Sequence, residues 1–345
     1  MLSDAPNIRN FVSMANWSDQ DLLELLDTAD TLKSRKFRSR EGEGKVLGLL
    51  FFNPSLRTKV SFEVAAAHFG ATTSIISPGQ GSWTLETEIG AIMNGNKTEH
   101  VKEAVQVLSR YCDAIGVRAF STLKDKNADM SEAVIRDIVQ YADVPVINLE
   151  SAMEHPCQSM ADWMTIRELF GKNQLADKKL VLTWAPHPFP LPQAVPNSVL
   201  EMASRSGIQL TLACPPEMVP EDPFLSRYNE QCRQKGHELV IEHDQQKALQ
   251  GADVVYAKSW AAPVIYDEPL REAQLRKEIY KDWTLSGDKM KATNDAYFMH
   301  CLPVRRNVVV TDDVIDGPRA RHIDEAENRL HAQKAILMKL WNLSL

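Results

Sequence analysis

The chain has 345 residues, of which 44% are hydrophobic and 25% are charged, and its formal net charge is −7. This length exceeds one ordinary hydrophobic core and predicts two domains. The acidic balance argues against a nucleic-acid partner, and because no apolar run approaches 18 residues, we expect no membrane-spanning segment.

In the first part of the chain the residue pattern predicts one helix and no candidate site. The N-terminal sequence is polar and lacks the apolar core of a signal peptide. Leucines at helical spacing over residues 17–36, behind a Ser18 cap, predict an amphipathic helix. The five cysteines are scattered and form no CxxC motif, which indicates reduced thiols in a cytoplasmic protein.

The next segment joins a buried strand to the start of a helix. Residues 45–52 (KVLGLLFF) form an apolar run typical of a strand buried on both faces, and a proline ends it. Ser55 is a natural helix cap, and helical periodicity follows from Arg57. Free N–H groups, two hydroxyls and a guanidinium therefore meet at residues 55–58, which predicts a phosphate-binding turn. The alternative is an ordinary cap beside a surface arginine.

Strand and helix patterns then alternate. Strands are predicted at 72–77, 113–117 and 144–149, a helix pair over 86–110 and a helix over 131–142. Arg118 follows the end of a predicted strand, where parallel α/β sheets place ligand groups. Trp83 lies in a glycine-rich polar loop; it either pins that loop to its own core or is presented to a ligand or a neighbouring subunit.

The segment over residues 150–158 (ESAMEHPCQ) brings an imidazole and an amide to the start of another helix. His155 and Gln158 can face the same way, because residues i and i+3 are neighbours on a helix. A lone histidine is more often structural. A helix over 159–170 is expected to link two domains.

The second half repeats the alternation. Strands are predicted at 179–184, 209–214, 238–241, 253–257 and 296–299, with helices at 192–205, near 223–235 and at 324–340. Such βα repeats predict a parallel, doubly wound sheet. No GxGxxG follows a strand, which argues against a dinucleotide site. By itself Cys301 would be a small buried hydrophobic residue.

Five motifs in this order resemble those of the aspartate/ornithine carbamoyltransferase family. They are SLRT at 55–58, Val117-Arg118, HPCQ at 155–158, HCLP at 300–303 and ENRLHAQK at 327–334. The resemblance implies an α/β fold of two doubly wound parallel-sheet domains joined by interdomain helices. It also implies a carbamoyl-phosphate-binding domain at 1–155, on which the helix at 324–345 packs back, and an acceptor-binding domain at 156–323.

The resemblance implies the site residues as well. Carbamoyl phosphate would be bound by Ser55, Leu56, Arg57, Thr58, Trp83, Arg118, His155, Gln158, Cys301, Leu302 and Arg329. The catalytic residues among these would be Arg57, Thr58, Arg118, His155 and Gln158. The acceptor would be bound by Thr98, Glu150, His187, Lys258, Cys301, Leu302 and Arg305. In the family the loop equivalent to that of Trp83 enters the adjacent subunit's active site, so we expect a homotrimer with shared sites, no metal and no cofactor.

One departure from the family pattern bears on the acceptor. Lys258 stands where enzymes acting on ornithine carry an aspartate for its α-ammonium. A lysine repels an ammonium, so we expect an acceptor whose α-nitrogen is acylated and neutral. The expected reaction carries the carbamoyl group of carbamoyl phosphate to the δ-amine of an Nα-acylated ornithine, giving N-acylcitrulline and phosphate in arginine biosynthesis.

The identity of the acyl group is harder to predict. The neutral residues Thr98 and Val309 favour a succinyl group, and the HPCQ and ENRLHAQK motifs favour an acetyl group. Phe189 stands where enzymes of both kinds often carry a basic residue. On balance, the sequence favours N-succinylornithine over N-acetylornithine.

Three alternatives remain. A carbamoyltransferase for ornithine, putrescine or aspartate would require Lys258 to point away from the cleft. A non-catalytic binding protein on the same scaffold would be expected to lack some of Arg57, Arg118, His155 or Gln158, and all four are present. A phosphate-binding enzyme such as a kinase is disfavoured by the absence of P-loop glycines and lysine.

Overall fold

The structure is a computed structural model that describes residues 10–172, 174–221 and 224–345. The strands are β1 (Val46–Phe51), β2 (Thr72–Ile76), β3 (Leu85–Glu86), β4 (Glu99–His100), β5 (Ala114–Arg118), β6 (Val146–Glu150), β7 (Lys179–Trp184), β8 (Gln209–Ala213), β9 (Val240–Glu242), β10 (Val254–Lys258) and β11 (Tyr297–Met299). The larger α-helices are α1 (Asp19–Ser34), α2 (Leu56–Ala67), α3 (Val101–Tyr111), α4 (Lys126–Met130), α5 (Ala133–Tyr141), α6 (Pro156–Phe170), α7 (Ala194–Ser206), α8 (Phe224–Gln234), α9 (Gln245–Leu249), α10 (Pro269–Gln274), α11 (Gly287–Met290), α12 (Asp312–Ile315) and α13 (His322–Leu340).

The chain divides into two compact units. The first comprises the described residues up to Thr122, then Lys126–Cys157 and Arg329–Leu345. The second comprises Leu123–Asp125 and Gln158–Asn328. The two division points that separate the halves fall within α6 and α13.

The first unit contains a four-stranded parallel sheet in the order β2-β1-β5-β6. Its central strand β1 is buried on both faces, and Leu47, Leu49 and Leu50 are inaccessible to solvent. Each such leucine contributes about 1.5–3 kcal/mol on burial. Since all four strands run the same way, their carboxyl ends, including Arg118 and Glu150, meet at one edge.

The second unit contains a five-stranded parallel sheet in the order β11-β10-β7-β8-β9. At its carboxyl edge Lys258 pairs in register with Trp184, and β11 ends directly before His300. The loops carrying residues 185–190, 259–262 and 300–305 therefore begin at one edge of this sheet. The expected α/β fold with two parallel sheets is confirmed.

The helix pair predicted over 86–110 is wrong in its first half. Only Val101–Tyr111 is helical, and β3 and β4 pair across the preceding segment. Glu86 Oε1 accepts hydrogen bonds from the N–H groups of Thr87 and Glu88 and from Lys97 Nζ. These local bonds compete with helical hydrogen bonds. Gly90, at φ 84°, adopts a left-handed conformation that also interrupts a helix.

Among the described residues no helix is both long and apolar enough to cross a lipid bilayer.

Candidate active site

The turn that begins α2 has the structure expected from its sequence. Ser55 is extended, with φ −156° and ψ 131°, and its side chain accepts a hydrogen bond from the Thr58 N–H at 3.2 Å. Asn53 Oδ1 accepts from the Phe120 N–H at 2.8 Å, which ties the turn to the segment after β5. Leu56 is 74% exposed, whereas Thr58 is fully buried. Hydrogen bonds of Asn53 and Ser55 therefore fix the turn, and the residues that follow form the first turn of α2.

Three guanidinium groups of the first unit lie near this turn. Arg329, in α13, donates from Nη2 to Thr58 Oγ1 at 2.8 Å and is only 3% exposed. Burial lowers the pKa of Arg329; Arg118 and Arg57 lower it further, and Cys157 and Glu150 oppose them. Within the described part of the chain, the buried Nε atoms of Arg118 and Arg329 have no hydrogen-bond partner. Clustered cations at the N-terminus of a helix form an anion site.

Glu150 balances part of this positive charge. It forms an ion pair with Arg118 Nη1, and its Oε2 lies 3.5 Å from His155 Nε2. Arg118 also stacks its guanidinium 4.4 Å from the Phe120 ring centroid. Glu150 is thus in contact with two of the expected carbamoyl-phosphate residues. Whether it also contacts the acceptor, as the sequence suggests, stays a prediction.

A thiol in the same unit has no nucleophilic character. Cys157 is fully buried, and its Sγ donates to the Asn148 carbonyl oxygen at 3.4 Å. Burial raises the pKa of this thiol to about 12. A thiol, not a thiolate, is therefore present at neutral pH.

Gln158 belongs to the second unit, where two carboxyl groups fix its amide. Its Nε2 donates to Asp162 Oδ1 and to Glu325 Oε1, both at 2.8 Å. Its Oε1 is buried without a hydrogen-bond partner in the described residues. The Nε2 donors of this amide are therefore engaged, and its Oε1 is available to accept a hydrogen bond. That arrangement suits an NH₂ group of a ligand.

The surroundings of Glu325 favour the neutral form of its carboxyl. Burial raises its pKa well above the ordinary value, and the charge and hydrogen bond of Asp162 raise it further. Two bonds oppose this shift: Tyr256 Oη donates to Oε1 at 3.1 Å, and the His300 N–H donates to Oε2 at 2.9 Å. Glu325 thereby joins α13 to β10 and to the residue after β11.

The segment after β11 has a fixed backbone. The Leu302 N–H donates to His300 Nδ1 at 2.8 Å, and Leu302 has a left-handed φ of 54°. Cys301 is 8% exposed, and Leu302 is half-buried. Because a branched residue rarely adopts this conformation, the loop presents a defined set of main-chain groups.

A second group of cations lies at the carboxyl edge of the second sheet. Burial lowers the pKa of His187, and the charges of Lys258, Arg305 and Arg276 lower it further, against a hydrogen bond with Phe189. Lys258 is 9% exposed, and its Nζ donates to the Ser259 carbonyl oxygen at 3.0 Å. Arg305 is exposed and lies 5.9 Å from the Phe189 ring centroid.

Within the described residues, Arg276 is the one member of this cationic group that an ion pair neutralises. Arg276 is buried in an ion pair with Glu272 at 3.0 Å and donates to the His187 carbonyl oxygen at 2.7 Å. In the described ranges no carboxylate is paired with Lys258 or Arg305. Two cations are thus available to a ligand that carries carboxylates.

The remaining expected residues, Trp83 and Thr98, lie in the segments before and after β3 of the first unit. Trp83 is 65% exposed in the segment over 78–83, and Thr98 is exposed beside the Lys97–Glu86 ion pair. Their expected roles stay predictions. In the described residues, no group of three His, Cys, Asp or Glu side chains is arranged to hold a metal ion.

Sequence reasoning missed the supporting residues around these groups. Asp162 lies four residues after Gln158, Glu325 four before Arg329, and Glu272 four before Arg276. An i, i+4 spacing from a predicted site residue is the signal that could have found them.

Comparison with known proteins relates both halves of the chain to one family. Residues 9–168 match the model of the aspartate/ornithine carbamoyltransferase carbamoyl-P binding domain, and residues 192–340 match that of the Asp/Orn binding domain. The N-acetylornithine carbamoyltransferase of Xanthomonas campestris pv. campestris is 42% identical over 97% of this chain and 98% of that protein. The N-succinylornithine carbamoyltransferase of Bacteroides thetaiotaomicron is also 42% identical, over 93% of this chain and 95% of that protein.

A solved structure gives the same result. The crystal structure of acetylornithine transcarbamylase complexed with acetylcitrulline superposes with a TM-score of 0.93 at 42% identity, covering 96% of this chain and 99% of that one. On the family models, the curated relatives and this fold, the chain belongs to the aspartate/ornithine carbamoyltransferase family.

Proposed function

We propose that this protein transfers the carbamoyl group of carbamoyl phosphate to the δ-amine of an Nα-acylated L-ornithine, as a step of arginine biosynthesis. N-succinyl-L-ornithine is the favoured acceptor and N-acetyl-L-ornithine the second. Residues 1–155, together with the helix at 324–345, are the carbamoyl-phosphate-binding domain, and residues 156–323 are the acceptor-binding domain. The names of the relatives support this class of acceptor, since they include enzymes for each acyl group.

The observation that carries the proposal is the Arg329–Thr58 hydrogen bond beside Arg57 and Arg118. The phosphate of carbamoyl phosphate is an anion, and a helix N-terminus with hydroxyls and guanidinium groups compensates its charge. In the reaction Ser55, Arg57, Thr58 and Arg329 hold this phosphate, together with the main chain of Leu56.

The carbamoyl carbonyl is activated by groups from the same unit. Thr58, Arg118 and His155 stabilise the negative charge that develops on its oxygen during attack. Such preorganised donors are worth about 10²–10³ in rate each. Gln158 Oε1 and the main-chain carbonyls of Cys301 and Leu302 accept from the carbamoyl NH₂, so much of the remaining gain is orientation.

The bond changes need no acyl-enzyme. The neutral δ-amine nitrogen forms a bond to the carbamoyl carbon, and the bond from that carbon to the phosphate oxygen breaks. The departing phosphate takes the proton that the amine loses. This agrees with the raised pKa of the Cys157 thiol, which is no nucleophile at neutral pH.

The cations of the second unit favour an acylated and doubly anionic acceptor. In the described ranges no carboxylate is paired with Lys258 or Arg305, and these two cations would repel a free α-ammonium. N-succinylornithine carries two carboxylates, one on the α-carbon and one on the succinyl group. Lys258 binds the succinyl carboxylate, and Arg305 and His187 bind the α-carboxylate. Thr98 and Glu150 are the other residues that we propose bind the acceptor.

The active protein is a cytoplasmic homotrimer in which Trp83 completes a neighbour's site. Trp83 is 65% exposed, which leaves its ring accessible to a neighbouring subunit. Cys112, Cys157, Cys214 and Cys232 are buried free thiols, which supports a reducing compartment.

Subunit mixing tests the shared site. The Arg57→Ala and Trp83→Ala variants should each have little activity alone. Random mixing of equal amounts should restore about a quarter of the sites, since one subunit then supplies the arginine and its neighbour the tryptophan. Mixtures that stay as inactive as the separate variants, although exchange of labelled subunits is observed, would contradict the shared site.

Product analysis tests the reaction itself. The protein is incubated with carbamoyl phosphate and N-succinylornithine, and the products are measured by mass spectrometry with a parallel phosphate assay. We expect N-succinylcitrulline and phosphate in equal amounts, and neither product from the Arg57→Ala variant beyond the uncatalysed background. Phosphate release without a carbamoylated product would refute the proposed transfer.

A further inference from the structure

Glu132 holds the turn that separates two candidate site residues, Glu150 and His155. The Ser151 Oγ and the Met153 N–H donate to its Oε1 at 2.7 and 2.9 Å, and the Ala152 N–H donates to its Oε2 at 3.2 Å. One carboxylate therefore receives three hydrogen bonds from three consecutive residues, which lie about twenty positions away in the sequence.

This arrangement costs stability. Glu132 precedes α5 with a left-handed φ of 53°, which is unfavourable for a residue with a side chain. Burial raises its pKa to about 7, the three hydrogen bonds lower it, and the Asp129 carboxylate raises it again. Backbone strain and a desolvated carboxylate both destabilise the folded state. A residue that combines them is retained where the local geometry that it maintains serves function.

The turn leads directly to the groups that face the carbamoyl site. The Ser151 N–H donates to the Glu154 carbonyl oxygen at 2.8 Å, which closes the turn. Glu150 on one side pairs with Arg118, and its Oε2 lies 3.5 Å from His155 Nε2 on the other side. A change in the turn would therefore change the distance between His155 and Glu150, and with it the direction of Arg118.

We propose that Glu132 is a positioning residue of the active site, which fixes the turn at 151–153 and so aims His155 and Arg118 at the carbamoyl oxygen. This role rests on the proposed function. Glu132 touches neither substrate. It acts through the backbone of the turn, and its effect falls on the chemical step because Arg118 and His155 serve the transition state.

The Glu132→Gln variant separates this role from a merely structural one. An amide offers one acceptor oxygen and places its NH₂ against main-chain donors, so the turn loosens, while the desolvated carboxylate disappears. We expect kcat to fall about 10- to 100-fold, KM for carbamoyl phosphate to stay within about threefold, and the melting temperature at pH 8 to stay equal or rise. Asp244→Asn, the same chemical change at the start of α9, is the control and should leave all three values unchanged.

Hydrogen–deuterium exchange gives a readout that does not depend on activity. Peptides covering residues 150–155 should exchange faster in Glu132→Gln, and also in Glu132→Gly, which removes the carboxylate while relieving the left-handed strain. Unchanged exchange in this segment, an unchanged kcat, or a fall in melting temperature that parallels the loss of activity would each overturn the role of Glu132. If the wild-type protein transfers no carbamoyl group, the proposed function fails, and exchange alone decides whether Glu132 holds the turn.

Discussion

The Arg329 guanidinium donates a hydrogen bond to Thr58 Oγ1 across 2.8 Å, although the two residues are 271 positions apart in the sequence. Thr58 is fully buried, and Arg329 is 3% exposed. Through this bond the part of α13 that begins at Arg329 supplies a cation to the first turn of α2, and both residues belong to the first unit. A buried arginine beside two other arginines is unfavourable for folding unless an anion binds there.

The first prediction concerns the Arg329→Met variant. We expect kcat/KM for carbamoyl phosphate to fall about 10²–10³-fold, because one preorganised cation is lost. Without ligand the variant should melt at the same temperature as the wild type or higher, since a desolvated charge has been removed. Added phosphate should raise the melting temperature of the wild type more than that of the variant. Lys339→Met, at the exposed end of the same helix, is the control; retained activity together with a lower melting temperature in Arg329→Met would contradict the account.

The second prediction concerns Glu150, which neutralises part of the cationic group. The Glu150→Gln variant removes a negative charge beside Arg118 and His155, so carbamoyl phosphate should bind more tightly. Turnover should nevertheless fall about 10-fold, because Arg118 and His155 lose their common partner. Calorimetric binding and steady-state kinetics measure the two effects, with Glu242→Gln, which alters an ion pair with Lys247 in the second unit, as the control. Weaker binding with unchanged turnover would show that Glu150 does not act in this way.

The third prediction concerns the recognition of the acyl group. The Lys258→Met variant should raise KM for N-succinylornithine by about 10- to 100-fold, the effect of losing a hydrogen bond between charged groups. KM for N-acetylornithine should rise less, because that substrate lacks the second carboxylate. Kinetics with each acceptor at saturating carbamoyl phosphate measure both values, and Lys247→Met is the exposed control. Equal effects on the two acceptors would remove Lys258 from succinyl recognition.

The fourth prediction concerns the dependence of stability on pH. Glu325 has a folded-state pKa well above its ordinary value of 4.5, so the folded protein retains a proton that the unfolded chain loses. Its contribution to the free energy of unfolding is complete below pH 4.5. Between pH 4.5 and the folded-state pKa that contribution falls by about 1.4 kcal/mol per pH unit, and it is lost once the pH has passed the folded-state pKa.

Glu325→Gln should remove this slope, because an amide does not titrate but can still donate to Asp162. Urea unfolding of both proteins at pH 6 and pH 8 tests the prediction. The wild type should lose more stability than the variant over this interval. Parallel losses would mean that Glu325 is ionised in the folded protein.

The strand, turn and helix at residues 45–67 could be predicted from sequence because their determinants are local. An apolar run, a proline and a Ser55 cap act within a few residues of one another. The prediction of a helix before Val101 was wrong for the opposite reason. The Glu86 side chain accepts a hydrogen bond from Lys97, which lies eleven positions away in the sequence. Apolar spacing alone does not reveal that competition.

The supporting residues of the site depend on contacts that are distant in sequence. Glu132 receives its hydrogen bonds from residues 19–21 positions away, and Glu325 meets Gln158 across 167 positions. No motif marks either glutamate, and both would be expected at the surface from composition alone. Motifs therefore found the residues proposed to touch ligands. The contacts of the groups that hold those residues required the structure, and for Glu325 the sequence offered only its position four residues before Arg329.

The most direct test of the account compares three acceptors in one assay. Purified protein is given saturating carbamoyl phosphate with N-succinylornithine, N-acetylornithine or free ornithine, and the rate of ureido-product formation is measured over a range of acceptor concentrations. We predict the highest kcat/KM with N-succinylornithine, a lower value with N-acetylornithine and little turnover of ornithine. Preferred turnover of free ornithine would contradict the assignment of an Nα-acylated acceptor.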